Sequence, residues 1–73
     1  MKRRWTDEEY DRLFGRFPPD GSRPTRAEVA VLANELDRTV DAIAWQWEDG
    51  AAYVAGRAAS TTSQVLKDWL DHR

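Results

Sequence analysis

Arg3, Arg4, Arg23, Arg26 and Arg38 are the side chains of this sequence best suited to chemistry, and the chemistry is electrostatic. A guanidinium holds phosphate oxygens through paired N–H donors. Arg23 and Arg26 bracket a helix start signalled by Thr25, a place where helix amides and cations together hold a phosphate. Lys2, Arg3 and Arg4 have the make-up of a basic arm that reaches a minor groove, and equally that of a solvated chain terminus. Further on, Asp41, Ala42, Trp45 and Gln46 fall on one helical segment and are the candidates for contact with a groove or a partner. The Gln46 amide can pair bidentately with adenine. The Trp45 indole can stack on a base or anchor a protein. Asp41 repels phosphate and suits the N-terminal end of a helix, where the dipole favours a carboxylate.

Catalysis and metal binding are not expected. Glu8 with Glu9, and Glu48 with Asp49, are adjacent in sequence, so a helix splays each pair instead of converging it on a substrate. Cysteine is absent and His72 is the sole histidine, which leaves no transition-metal cluster and no thiol chemistry. The chain reads as a non-enzymatic binding protein without a cofactor.

The elements that must position these residues are helices. Thr6-Asp7-Glu8-Glu9 has the form of a capping box, with Tyr10, Leu13, Phe14 and Phe17 following at the spacing of one helical face. Pro18-Pro19-Asp20-Gly21 ends that helix. Thr25-Arg26-Ala27-Glu28 repeats the box, and Val29, Leu32, Ala33 and Leu36 repeat the stripe. Only Asp37 and Arg38 precede the next cap, Thr39, so the second and third helices must cross sharply, with Asp37 in the turn position that glycine commonly holds. Val40, Ile43, Ala44 and Trp47 form the third stripe.

Past Trp47 the pattern weakens. Gly50 to Gly56 is rich in small residues and bounded by glycines, which predicts a frayed helix end followed by a loop. Thr61-Thr62-Ser63-Gln64 has the form of a further capping box, and Val65, Leu66, Trp69 and Leu70 give a short last helix. The expected fold is all-α: a three-helix bundle of helices over about 6–17, 25–36 and 39–49, with a C-terminal helix over about 61–72.

On the third helix, at about 100° per residue, Trp45 lies roughly 140° from Val40 and outside the apolar stripe. An isolated bare tryptophan is unfavourable in a small domain, so the pattern favours its being covered by Tyr53 or by the last helix through Leu66, Trp69 or Leu70. Trp69 likewise needs a surface to bury against.

Seventy-three residues without cysteine lie near the lower limit for a core without staples. The net charge of −2 is unevenly placed: residues 1–26 hold seven basic and five acidic side chains, residues 27–73 four basic and eight acidic. A nucleic-acid binder usually carries a basic stripe, whereas here a modestly basic front meets an acidic back. No apolar run approaches the roughly 18 residues of a membrane span, and Lys2-Arg3-Arg4 leads into a charged stretch and not into a signal-peptide core. A cytoplasmic protein or excised domain is the expectation.

Trp5-Thr6-Asp7-Glu8-Glu9 followed by Leu13, and Leu32-Ala33-Asn34-Glu35-Leu36-Asp37-Arg38-Thr39 followed by Ala42-Ile43 and Trp47, resemble a Myb/SANT-like repeat. That family opens on a W-[ST]-x-E-E helix and carries an R-T-x-x-A-I-x-x-x-W recognition helix. Gly56-Arg57 and the later Trp69 make the chain similar, more narrowly, to the Myb-like N-terminal domains that precede HNH nuclease domains in some bacterial restriction enzymes. The resemblance implies a helix-turn-helix fold and binding of double-stranded DNA through the third helix, either alone or as the recognition domain of a larger nuclease or regulator. Two departures stand against a simple transfer of contacts. Family members often place polar or basic residues where this chain has Asp41, Ala44 and Trp45, and the middle tryptophan of the usual Myb triplet has no counterpart in the second helix. The alternative is a SANT-like module whose acidic third helix docks a protein, or another copy of itself, through Trp45 or Trp69.

Overall fold

Thr6 and Thr25 start the first two helices as their surroundings require. Each hydroxyl accepts from the amide three residues on, while the carboxylate of Glu9 or Glu28 reaches back to the cap amide. The computed structural model describes residues 4–58, 60 and 62–72. Among them the architecture is entirely helical: α1 (Asp7–Arg16), α2 (Arg26–Leu36), α3 (Val40–Val54) and α4 (Gln64–Asp71), with no strand. Helix α3 is the centre of the assembly and packs against the other three; α1 also packs against α4.

The core is where the apolar stripes meet. Tyr10, Leu13, Phe14 and Phe17 from the α1 region, Val29, Leu32 and Ala33 from α2, Ile43 and Trp47 from α3 and Leu66 from α4 are all buried in one cluster. The Trp47 indole Nε1–H donates to the Phe17 carbonyl at 2.9 Å, so the buried nitrogen is satisfied and the end of α1 is tied to α3. On the outside, Arg16 grips Glu35 through both terminal nitrogens and links α1 to α2.

Asp37 occupies the left-handed conformation (φ 55°, ψ 49°) at the end of α2. Its neighbour Arg38 donates its amide to the Ala33 carbonyl at 2.9 Å, closing the reversed turn that usually carries glycine. An aspartate tolerates this conformation better than most side chains, and the tight turn delivers Thr39 directly as the cap of α3, where its hydroxyl accepts from the Ala42 amide.

The structure corrects the expected ends of two helices. Helix α3 does not fray at residue 49: it continues through Gly50 to Val54. Gly50 is buried under the Phe14 ring, and a Cβ there would stand 2.5 Å from Phe14 Cζ, so this glycine lets an aromatic ring lie on the helix backbone. Gly56 is the residue that stops the helix. It adopts φ 77°, and Arg57 donates its amide back to the Ala52 carbonyl at 2.7 Å. Gly56→Ala is expected to cost about 1 kcal/mol, the strain of a Cβ in the left-handed region, read as a lower urea midpoint with an unchanged slope.

Helix α4 begins at Gln64 and not at residue 61. Its cap is Ser63, whose hydroxyl accepts from the Val65 amide, so no capping box forms there; Thr61 lies outside the described residues. The helix is held by Leu66, fully buried, and by Trp69, whose ring lies 5.4 Å from Phe14 and 6.0 Å from Tyr10. Trp69 Nε1–H donates to Asp11 at 3.0 Å. The surface that Trp69 requires is thus the aromatic side of α1.

Candidate functional site

The first half of α3 and the turn before it present the sequence-derived candidates. A shallow groove lined by Trp5, Asp37, Arg38, Thr39, Ala42, Trp45 and Gln46 brings three of the four groove candidates together. Asp41 is exposed just outside that lining.

Arg38 stands apart from the other expected phosphate contacts. Its side chain is only 9% exposed; Nε donates to Glu9 Oε2 at 2.5 Å and a terminal nitrogen to Glu9 Oε1 at 2.9 Å. The same group reaches the Arg4 carbonyl at 3.0 Å, and its guanidinium lies 4.5 Å over the Trp5 ring, which stacks in turn on Tyr10. Glu9 therefore closes the α1 capping box and clasps Arg38 at once. The hydrogen bond from Arg38 holds the Glu9 carboxyl below the usual carboxylate value, against the opposing effect of burial. The charge of Arg38 is spent inside the fold.

Arg23 and Arg26 lie on the other flank of α3. With Pro24, Val29, Val40, Ala44, Trp47 and Glu48 they line a separate small groove. Arg23 pairs with Glu48 and lies 5.8 Å over the Trp47 ring. Arg26 is exposed and makes no ion pair among the described residues. Arg4 is exposed too, while Lys2 and Arg3 lie outside the described residues. The arginines that sequence groups into one phosphate-holding set are thus divided by α3, and two of the four described are matched by glutamates.

Trp45 is 68% exposed, which overturns the expectation that Tyr53 or α4 covers it. The reason is where α4 docks. Trp69 packs on Tyr10 and Phe14, Leu66 is buried in the core and Tyr53 donates its hydroxyl to Asp71 at 2.7 Å, so these side chains are engaged elsewhere and leave Trp45 bare. Gln46 faces partly inward: its side-chain oxygen accepts from the Tyr10 hydroxyl at 3.1 Å. Burial pushes the Tyr10 phenol up to about 12, so it stays a neutral donor. The Gln46 amide nitrogen retains no partner among the described residues.

Two contributors fall outside the sequence-derived candidates. Asp49, one turn after Trp45, is half-buried and has no ion pair among the described residues, and burial together with the charge of Glu48 pushes its carboxyl above the ordinary value. Trp5 forms the far side of the groove. The position of Asp49 on the outer wheel of α3 is legible in sequence, whereas the placing of Trp5 depends on the Arg38–Glu9 contact. Around Trp45 the ridge of α3 carries Asp41 and Asp49 and no lysine or arginine of its own, while the neighbouring Glu48 is paired with Arg23.

Among the described residues there is no group of histidines or carboxylates able to hold a metal, and no helix is long and apolar enough to cross a membrane. Family models, curated proteins and solved structures all fail to give a match to this chain.

Proposed function

We propose that the chain is a Myb/SANT-like helical module that docks a partner protein through the outer ridge of α3. The observation that carries this reading is the bare Trp45 indole, set between Asp41 one helical turn before it and Asp49 one turn after. A large exposed aromatic on a rigid helix loses little conformational entropy on binding and is the residue type most often found at the energetic centre of protein interfaces. The acidic surroundings argue against a phosphate backbone on the same ridge. Duplex DNA there would meet Asp41 and Asp49, while Arg38 is clasped by Glu9 and Arg23 is paired with Glu48.

A second reading keeps the helix-turn-helix module on double-stranded DNA, alone or as part of a larger nuclease or regulator. It is favoured by Arg4 and Arg26, exposed and without ion pairs among the described residues, the latter in the first turn of α2. Selection of random peptides by display against the chain, beside a salt titration with random duplex DNA, separates the two. Trp45→Ala is expected to weaken the selected peptides by roughly 30-fold, the effect of an interface centre worth about 2 kcal/mol. Its unfolding free energy should change by no more than about 0.5 kcal/mol, because the side chain is exposed. Micromolar, steeply salt-dependent DNA binding that Trp45→Ala leaves intact, with no peptide selected, would hand the assignment to DNA.

A further inference from the structure

The molecule builds one three-part contact twice. Arg38 lies over the Trp5 indole and is clasped by Glu9. Arg23 lies over the Trp47 indole and pairs with Glu48. In each, the indole face offers π density and the carboxylate offers the counter-charge. The planar, weakly hydrated guanidinium satisfies both at once, which an ammonium does less well.

Trp45 is set among the same components. Asp41 and Asp49 stand one helical turn before and after it, at the i−4 and i+4 positions whose side chains are neighbours on a helix surface. Among the described residues no lysine or arginine lies over the Trp45 ring or pairs with either aspartate. We propose that Trp45, Asp41 and Asp49 form a receptor for an arginine side chain carried by a segment of the partner protein. This rests on the docking reading above and narrows it to a partner chemistry.

Three further observations support the choice. The ionised form of Asp49 is disfavoured by burial and by Glu48, and an incoming guanidinium relieves both effects. The acidity of the ridge attracts a basic segment and repels nucleic acid. The other acidic groove, lined by Asp7, Asp11, Asp68, Trp69 and His72, is differently engaged: Asp11 accepts from Trp69 and Asp68 accepts from Gln64. That groove serves as an internal control for plain attraction between opposite charges.

The test is an NMR titration of the whole chain with hexa-arginine, hexa-lysine and hexa-glutamate peptides. Hexa-arginine is expected to move the Trp45 indole N–H and the Asp41 and Asp49 amides saturably, with hexa-lysine several-fold weaker and hexa-glutamate inert. Asp41→Asn combined with Asp49→Asn should weaken hexa-arginine at least ten-fold, and thermal unfolding of that double variant checks that its fold is kept. Undiminished binding by the double variant would overturn the proposal. So would shifts as large around Asp7, Asp11 and Asp68, or a site filled by Arg4 or Arg26 of a second copy in a sedimentation titration. Display-selected peptides that depend on Trp45 yet lack arginine would remove this inference and leave the docking reading standing; peptides indifferent to Trp45→Ala would remove both.

Discussion

Arg38→Met is expected to destabilise the fold by about 3 kcal/mol, the lower end of the range for breaking a buried ion pair, because both side chains keep a little exposure. Methionine keeps much of the apolar stem, so the loss reports the charge and its hydrogen bonds. The cost arises at Glu9, 13% exposed, which keeps its bonds from Thr6 but loses the guanidinium that balanced it. For a chain of this size, where total stability lies toward the lower end of about 5–15 kcal/mol, that loss leaves a marginal fold. Urea denaturation followed by helical circular dichroism measures it. Glu9→Gln with Arg38→Met should be less damaging than Arg38→Met alone, because no uncompensated carboxylate remains. A loss below about 0.5 kcal/mol in Arg38→Met, the range of an ordinary surface change, would show that the contact contributes nothing.

The same pair gives the acid limb of stability its sign. The folded Glu9 carboxyl sits below its ordinary value of 4.5, so its contribution is fully present above that pH and is lost as pH falls through the folded value. Glu28 and Glu35, also lowered by their own hydrogen bonds, behave alike in both proteins. The difference between wild type and Arg38→Met should therefore shrink as pH drops below 4.5. A difference independent of pH over that range would remove the charge from the account.

What was legible in the sequence was local. Both Thr–Glu capping boxes of α1 and α2 form because cap and partner lie within one turn. Asp37 in the glycine-like turn follows from the two residues available between Leu36 and Thr39. What escaped depends on residues far apart in the chain. Arg23, Arg26 and Arg38 are equivalent as isolated letters; only the approach of α1 to the turn before α3 sets Arg38 on Trp5 and Glu9. Trp45 and Trp69 both required cover, and the docking of α4 on α1 supplies it to one alone. Gly50 and Gly56 both signal a weakened helix, yet the first is inside α3 and the second ends it. That distinction rests on Phe14.

Gly50→Ala is accordingly expected to act against helix propensity. In an open helical position alanine is favoured over glycine by about 1 kcal/mol. At Gly50 the new Cβ would lie 2.5 Å from Phe14 Cζ and 2.7 Å from Cε1. The ring cannot swing clear, since it is 2% exposed and lies against Tyr10 at 6.1 Å and Trp69 at 5.4 Å between centroids. Overpacking costs about 1–3 kcal/mol, and an approach of 2.5 Å to a held ring belongs to the upper part of that range, about 2–3 kcal/mol. After the gain of about 1 kcal/mol in propensity, the net loss should be about 1–2 kcal/mol and the melting temperature should fall by roughly 5–15 °C. Gly15→Ala supplies the contrast, because a Cβ at Gly15 in α1 meets no atom within 4 Å. That substitution should raise the melting temperature by a few degrees, through roughly 0.5–1 kcal/mol of backbone entropy and helix propensity. Phe14→Leu combined with Gly50→Ala should lose less than the sum of the two separate changes, as the smaller side chain removes the collision that gives Gly50→Ala its sign. Two alanine substitutions that both stabilise would mean that Phe14 yields freely and that glycine at position 50 is not required by its ring.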